Sequence, residues 1–186
     1  MTAIKADITD NHAVRQMVFE AEKNYGKIHY LVNNASMTKQ INLSDLDSVT
    51  DDVWDDVFSV NVKGMFYCAR AVIPIMKKTK NCSILNMGSI AGITGSGSSL
   101  PYAASKAAIH CMTKSLARAL APDIRVNCIA PAAVYTRWWA GEEEKMRRLS
   151  GDLPLQRISP PEDIAGMNFQ TRSSPAIYDR SNNQPQ

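Results

Sequence analysis

The chain has 186 residues, 45% hydrophobic and 21% charged, with a net charge of +3. That balance suits one soluble domain, or a large piece of one, and excludes a disordered class. So small and scattered a positive excess gives no footing for nucleic acid. No stretch approaches the roughly 18 uninterrupted apolar residues of a membrane span, and the first residues lack a signal pattern. The densest basic run, Lys77-Lys78-Thr79-Lys80, ends a helical pattern, where cations suit the macrodipole. Cys68, Cys82, Cys111 and Cys128 lie far apart in apolar segments and read as buried free thiols of a reducing compartment, which implies a cytoplasmic protein. His12, His29 and His110 show no ligand spacing, so no metal site is expected.

In chain order, Thr2 to Asp7 reads as a short strand ending in an acidic turn. Asp10 then caps a helix with apolar positions Val14, Val18 and Ala21, and Gly26 stops it. Ile28 to Val32 is nearly all apolar, as in a sheet covered on both faces, and runs into the polar turn Asn33-Asn34-Ala35-Ser36. Thr50 is placed to cap a helix with Asp51 and Asp52 in its first turn. Its pattern continues to about Met76, with a break expected near Asn61. Cys82 to Met87 is the next strand, and a glycine- and serine-rich loop spans Gly88 to Ser99. Pro101 opens a helix that runs to about Leu120, and Ile124 to Ile129 is a further strand.

An Ala/Pro loop follows, then a short charged helix from about Gly141 to Leu149 and a capping-box start at Ser159-Pro160-Pro161-Glu162. This alternation of strand and helix predicts a parallel sheet with helices on both faces. A domain over residues 1–170 is expected, with 171–186 as a disordered polar tail. In such a sheet, ligands sit beyond the carboxyl ends of the strands. The polar turns at Asp7, Asn33 to Ser36, Gly88 to Ser99 and Ala130 to Thr136 occupy those ends.

Tyr102 and Lys106 stand four residues apart, hence on one helix face, and Ser89 lies in the preceding loop. A phenol needs its pKa brought down from about 10 to exchange protons at neutral pH. An ammonium about 4 Å away favours the phenolate by up to roughly 4 kcal/mol at an effective dielectric of about 20, and desolvation opposes it. Alone, the pair also reads as a surface tyrosine covering a lysine stem. A buried-type strand and a serine ahead of it favour proton exchange with a carbonyl oxygen.

Taken together these motifs resemble the short-chain dehydrogenase/reductase family, over residues 2 to 166 or so. Asn33-Asn34-Ala35-Ser36 resembles that family's Asn-Asn-Ala-Gly turn, Asn61 in Val60-Asn61-Val62-Lys63-Gly64 its active-site asparagine, and Ser89, Tyr102 and Lys106 its catalytic serine, tyrosine and lysine. Arg125 to Ala132 resembles the segment that passes the nicotinamide. The resemblance implies hydride transfer between NAD or NADP and a small alcohol or ketone. In that scheme Tyr102 is the acid or base, Ser89 polarises the oxygen, Lys106 assists the tyrosine and binds the ribose, and Asn61 holds a relay water. It implies cofactor contacts at Asp7, Ile8, Asn34, Ala35, Ser36, Met87, Tyr102, Lys106, Pro131, Ala132, Val134 and Thr136.

Ser36 and Ala132 stand where that family has glycines, so a strained backbone or a crowded cofactor is expected there. The resemblance also implies an incomplete Rossmann-like doubly wound sheet. The first two strands, the glycine fingerprint and the residue that separates NAD from NADP would precede Met1, and the last strand would be missing. Residues 2 to 6 would then lack a neighbour to pair with. A homo-oligomer is expected through two long helices, about residues 51 to 76 and 101 to 120. The competing readings are an inactive fragment that associates with full-length subunits through those helices, and an epimerase or dehydratase on the same scaffold. The loop at Trp138-Trp139 reads either as a packed loop or as aromatic cover for an apolar substrate.

Overall fold

The structure is a computed structural model and describes residues 1–139, 141, 144, 146 and 157–166. Helix α1 (Asn11–Tyr25) starts where the Asp10 carboxylate accepts from the His12 backbone N–H and stops at Gly26, whose φ of 71° is left-handed. Strand β1 (Tyr30–Asn33) follows, then helix α2 (Asp51–Phe58), a π-helical turn over Ser59–Gly64, and helix α3 (Met65–Thr79). The expected break near Asn61 is that π turn. Thr50 occupies the cap position of α2, but its side chain makes no capping hydrogen bond, so the cap read from the sequence is absent. Lys77 and Lys78 do fall in the last turn of α3.

Strand β2 (Cys82–Met87) leads to a short helix α4 (Ala91–Thr94) inside what the glycine and serine content marks as a loop. Helix α5 (Leu100–Leu120) has Pro101 in its first turn and Ser99 as its cap, with Ser99 Oγ accepting from Tyr102 N at 3.4 Å. Strand β3 (Ile124–Ile129) precedes a 3₁₀ turn at Arg137–Trp139. A helical turn spans residues 161–166. The expected 141–149 helix falls largely outside the described residues, and the 171–186 tail wholly so.

The three strands form a parallel sheet in the order β1-β2-β3. Asn33 is level with Asn86, and Met87 with Ile129, so all three strands end at one edge. The core beside them joins Val18 of α1, Ala69, Val72, Ile75 and Met76 of α3, Ile84 of β2, Leu120 of α5, and Ile124 and Val126 of β3. Central β2 is buried along nearly its whole length, as a strand with neighbours on both sides must be.

Residues 2–7 form no strand, contrary to the strand read from Thr2 to Asp7. No described strand lies beside them to satisfy their backbone groups, so they run exposed ahead of α1. Cysteine burial also differs from expectation. Cys68 and Cys82 are buried thiols, Cys128 is half-buried, and Cys111 is exposed because it lies on the outer face of α5. Among the described residues, no helix is long and apolar enough to cross a membrane.

Candidate active site

The turns that leave β1, β2 and β3 open at the same sheet edge, and the amino end of α5 meets them there. Two close approaches set the geometry. A Cβ on Gly92 would lie 2.5 Å from the Ala107 backbone nitrogen, so only glycine lets α4 press against α5. A Cβ on Gly64 would meet Ile8 Cδ1 at 2.8 Å, so the glycine that ends the π turn admits Ile8 beside Asn61's element. The π turn is one extra residue in the helix path, a device that turns a side chain out of register.

Ser89 and Tyr102 are brought together. Ser89 lies close enough to the Tyr102 phenol to favour its phenolate, and Ser89 Oγ accepts from the Ala91 backbone N–H at 3.1 Å. Lys106 is buried, 3% exposed, one turn along α5. Its Nζ lies 5.5 Å from the Tyr102 ring centroid and donates to the Met87 carbonyl at 2.8 Å. Trp138 packs beside Tyr102, with the two ring centroids 6.0 Å apart.

The electrostatics differ from the sequence expectation. Tyr102 is shifted up from the ordinary phenol value, because burial penalises the phenolate more than the nearby Ser89 hydroxyl favours it. Lys106 does not pull it down, for its ammonium is turned to the Met87 carbonyl and its own pKa is lowered to about 8 by burial. Burial therefore sets the direction of the shift at both Tyr102 and Lys106. His110, a further turn along α5, is shifted down by burial and by the Lys106 and Lys114 charges, and its Nε2 is buried without a hydrogen-bond partner. The imidazole is a neutral neighbour of the lysine that the sequence pattern did not single out, since nothing but its spacing from Lys106 marks it.

Asn61, 1% exposed, anchors the opposite wall. Its Oδ1 accepts from Met37 N at 2.9 Å and Ser36 Oγ at 3.0 Å, and its Nδ2 donates to Met37 O and Ser105 Oγ, each at 3.0 Å. The turn that carries Asn34, Ala35 and Ser36 is thereby tied to the π turn. Residues 38–41 are tied in turn to the loop before α5, through Thr38 Oγ1 and Ser98 Oγ at 2.6 Å and Ile41 N to Ser98 O at 2.8 Å. Below the edge, Asn33 Nδ2 donates to Asn86 Oδ1 at 2.9 Å, and Asn86 Nδ2 to Thr113 Oγ1 at 3.0 Å, so the polar core is linked from β1 to α5.

Of the other sequence candidates, Asp7 sits in the turn before α1, where Thr9 N and Thr9 Oγ1 donate to its carboxylate and hold its pKa down. Met87 ends β2, and Pro131, Ala132, Val134 and Thr136 follow β3 in a loop pinned at Pro131 O to Ile90 N and at Val134 to Ser159. Neither Ser36 nor Ala132 has a positive φ, so the strain expected from a lost glycine is absent at both. The donor set at this edge, an ammonium, a phenol and three strand-end turns, suits a ribose and an amide-bearing ring. Among the described residues no cluster of three or more metal-ligating side chains occurs.

Residues 1–147 match the family model described as short chain dehydrogenase. The chain is 65% identical over 104 residues to the short-chain dehydrogenase/reductase homolog YusR of Bacillus subtilis, covering 56% of this chain and 81% of that protein. It is 38% identical over 174 residues to the 3-oxoacyl-[acyl-carrier-protein] reductase FabG of Thermotoga maritima, covering 92% of this chain and 70% of the reductase. Among solved structures it resembles NAD+-bound xylitol dehydrogenase, with a TM-score of 0.83, 27% identity, and 91% and 71% of the two chains covered. An NADPH-bound ElxO variant gives a TM-score of 0.82 at 26% identity, with 90% and 69% covered. The chain belongs to the short-chain dehydrogenase/reductase family, NAD(P)-dependent oxidoreductases built on a Rossmann-like α/β sheet.

Proposed function

We propose that this chain interconverts a ketone and an alcohol at Tyr102, with Ser89 and Lys106 as its partners and NAD or NADP as the hydride carrier. What carries this reading is the placement of Ser89 beside the Tyr102 phenol, with the buried Lys106 one turn along the same helix. A nicotinamide, when bound, supplies or receives the hydride at the carbonyl carbon. In reduction, Tyr102 gives its proton to the carbonyl oxygen while the Ser89 hydroxyl holds that oxygen in place. In oxidation the phenolate takes the alcohol proton. Lys106 carries positive charge below its pKa of about 8 and, released from the Met87 carbonyl toward the ribose, would stabilise the phenolate that reduction leaves. Asp7, Ile8, Asn34, Ala35, Ser36, Met87, Pro131, Ala132, Val134 and Thr136 surround the cofactor in this reading.

The substrate is a carbonyl compound with an apolar arm. Trp138 against Tyr102, half-exposed, and Ile90 next to Ser89 offer apolar surface at the reacting groups, which suits an acyl chain better than a polyol. The 3-oxoacyl reductase relative supports the same choice. We further place the protein in the cytoplasm as a homo-oligomer. Free thiols support the first, and exposed Phe66 on α3, held under the Arg70 guanidinium, supports an interface there.

The test is nicotinamide absorbance during turnover of a short 3-oxoacyl thioester and of xylitol, with wild type and Tyr102→Phe. Loss of general acid catalysis should slow the thioester reaction at least about 100-fold in the variant. Equal rates for the two proteins would remove Tyr102 from the chemistry, and faster turnover of xylitol would reject the apolar substrate.

A further inference from the structure

The Asn61 carboxamide has two acceptor sites and two donor protons, and all four are used. Its orientation is not ambiguous, since Met37 N only donates and Met37 O only accepts. Oδ1 must face the first and Nδ2 the second. The Ser36 hydroxyl is therefore a donor to Oδ1. Ser105 Oγ accepts from Nδ2 and donates its own proton to the Tyr102 carbonyl at 2.7 Å. All the bonds point one way, from Ser36 through Asn61 and Ser105 to the backbone of Tyr102. Such a chain strengthens each of its members, and in a buried setting its loss is felt at both ends. Asn61 and Ser105 are both almost fully buried, and Ser36 is half-buried, so the Asn61 carboxamide depends on protein partners for most of its bonds.

We propose that Ser36 is a positioning residue that, through Asn61 and Ser105, fixes the first turn of α5 against the turn after β1 and so places the Tyr102 phenol at the strand ends. The inference rests on the reading of Tyr102 given above. Ser36 has no direct contact with Tyr102. Its hydroxyl occupies the lone pair of Oδ1 that Met37 leaves open; without it the carboxamide keeps its two Met37 backbone bonds and its Ser105 bond, and Oδ1 keeps one donor of two. Glycine or alanine at position 36 keeps those backbone bonds and removes only the hydroxyl donor.

The experiment uses the full chain as Ser36→Ala, Ser36→Gly and Ser36→Thr. Three quantities are read: hydrogen exchange of the Asn61 side-chain amide by nuclear magnetic resonance, the split between kcat and KM for 3-oxoacyl thioester reduction, and the thermal midpoint. In the Ala and Gly variants, Asn61 amide exchange should quicken, and kcat should fall about three- to tenfold with KM unchanged, the scale of one buried hydrogen bond. Threonine should restore both. Unchanged Asn61 exchange in Ser36→Ala overturns the proposal. So does a fall in thermal midpoint with kcat and KM shifting together and no rescue by threonine, because that is what a merely structural serine would give. If wild type and Tyr102→Phe both fail to turn over, the reading of Tyr102 fails, and Asn61 exchange still decides the role of Ser36.

Discussion

Strands β1 and β2 are both apolar and lie side by side in one sheet, yet they differ in what surrounds them. β2 pairs on both sides and is buried along nearly its whole length, with Ile84 fully buried. Among the described residues β1 pairs with β2 alone, and Tyr30 and Val32 remain 44% and 41% exposed. Residues 2–6, ahead of it in the chain, are mostly exposed and form no strand. Burial here is a property of neighbours, since composition alone makes the two strands look alike. The candidate active site sits on the buried half: Ser89 follows β2, and Tyr102 and Lys106 lie on α5, which packs over β2 and β3.

The largest effect that would break this contrast is a cavity in the buried half. Ile84→Ala should cost about 2–5 kcal/mol in urea unfolding, for it removes a fully buried side chain from the central strand. Val32→Thr, on the exposed half, should change stability by no more than about 0.5 kcal/mol. Similar losses at the two positions would mean that β1 is as well covered as β2.

A second, smaller effect sharpens the contrast through pH. Lys106 is depressed from its ordinary 10.5 to about 8 by burial. Between those two values the unfolded chain binds the proton and the folded chain does not, so this lysine makes stability rise with pH across that window. Relative to Lys106→Met, wild type should therefore gain stability between pH 8 and pH 10. The comparison with the variant removes the opposing contribution of Tyr102, which is shifted up by burial and disfavours the fold at still higher pH. In turnover, alcohol oxidation should quicken as pH rises above neutrality, because it needs the phenolate. Carbonyl reduction should be steady near pH 7 and fall above pH 8 as Lys106 loses its charge. An oxidation rate independent of pH from 7 to 10 would contradict the assignment of Tyr102 as base.

Much of the local structure was legible in the sequence because its causes are local. The Asp10 cap, the Gly26 stop, Pro101 in the first turn of α5 and the break near Asn61 all depend on residues within one turn of each other. The Ser89, Tyr102 and Lys106 constellation was legible because its members are spaced by a helix turn and a short loop. What escaped depends on distant partners. The strand at residues 2–7 failed for want of a neighbour. The direction of the Tyr102 shift hung on where Lys106 Nζ points, and the Met87 carbonyl, nineteen positions away, decides that. Ser36 read as a lost glycine and a cofactor contact, while its hydroxyl reaches across 25 positions to Asn61. The short helix α4 was hidden in a run of glycines and serines whose composition favours turns, and its packing against α5 supplies what propensity lacks.

Deuterium followed from nicotinamide labelled at C4 into the alcohol product tests whether Tyr102 passes the proton while hydride reaches the carbonyl carbon. Wild type should deliver one deuterium to the carbinol carbon, and Tyr102→Phe should deliver it at least about 100-fold more slowly. Deuterium appearing at the same rate with either protein, or product formed without it, would contradict the claim.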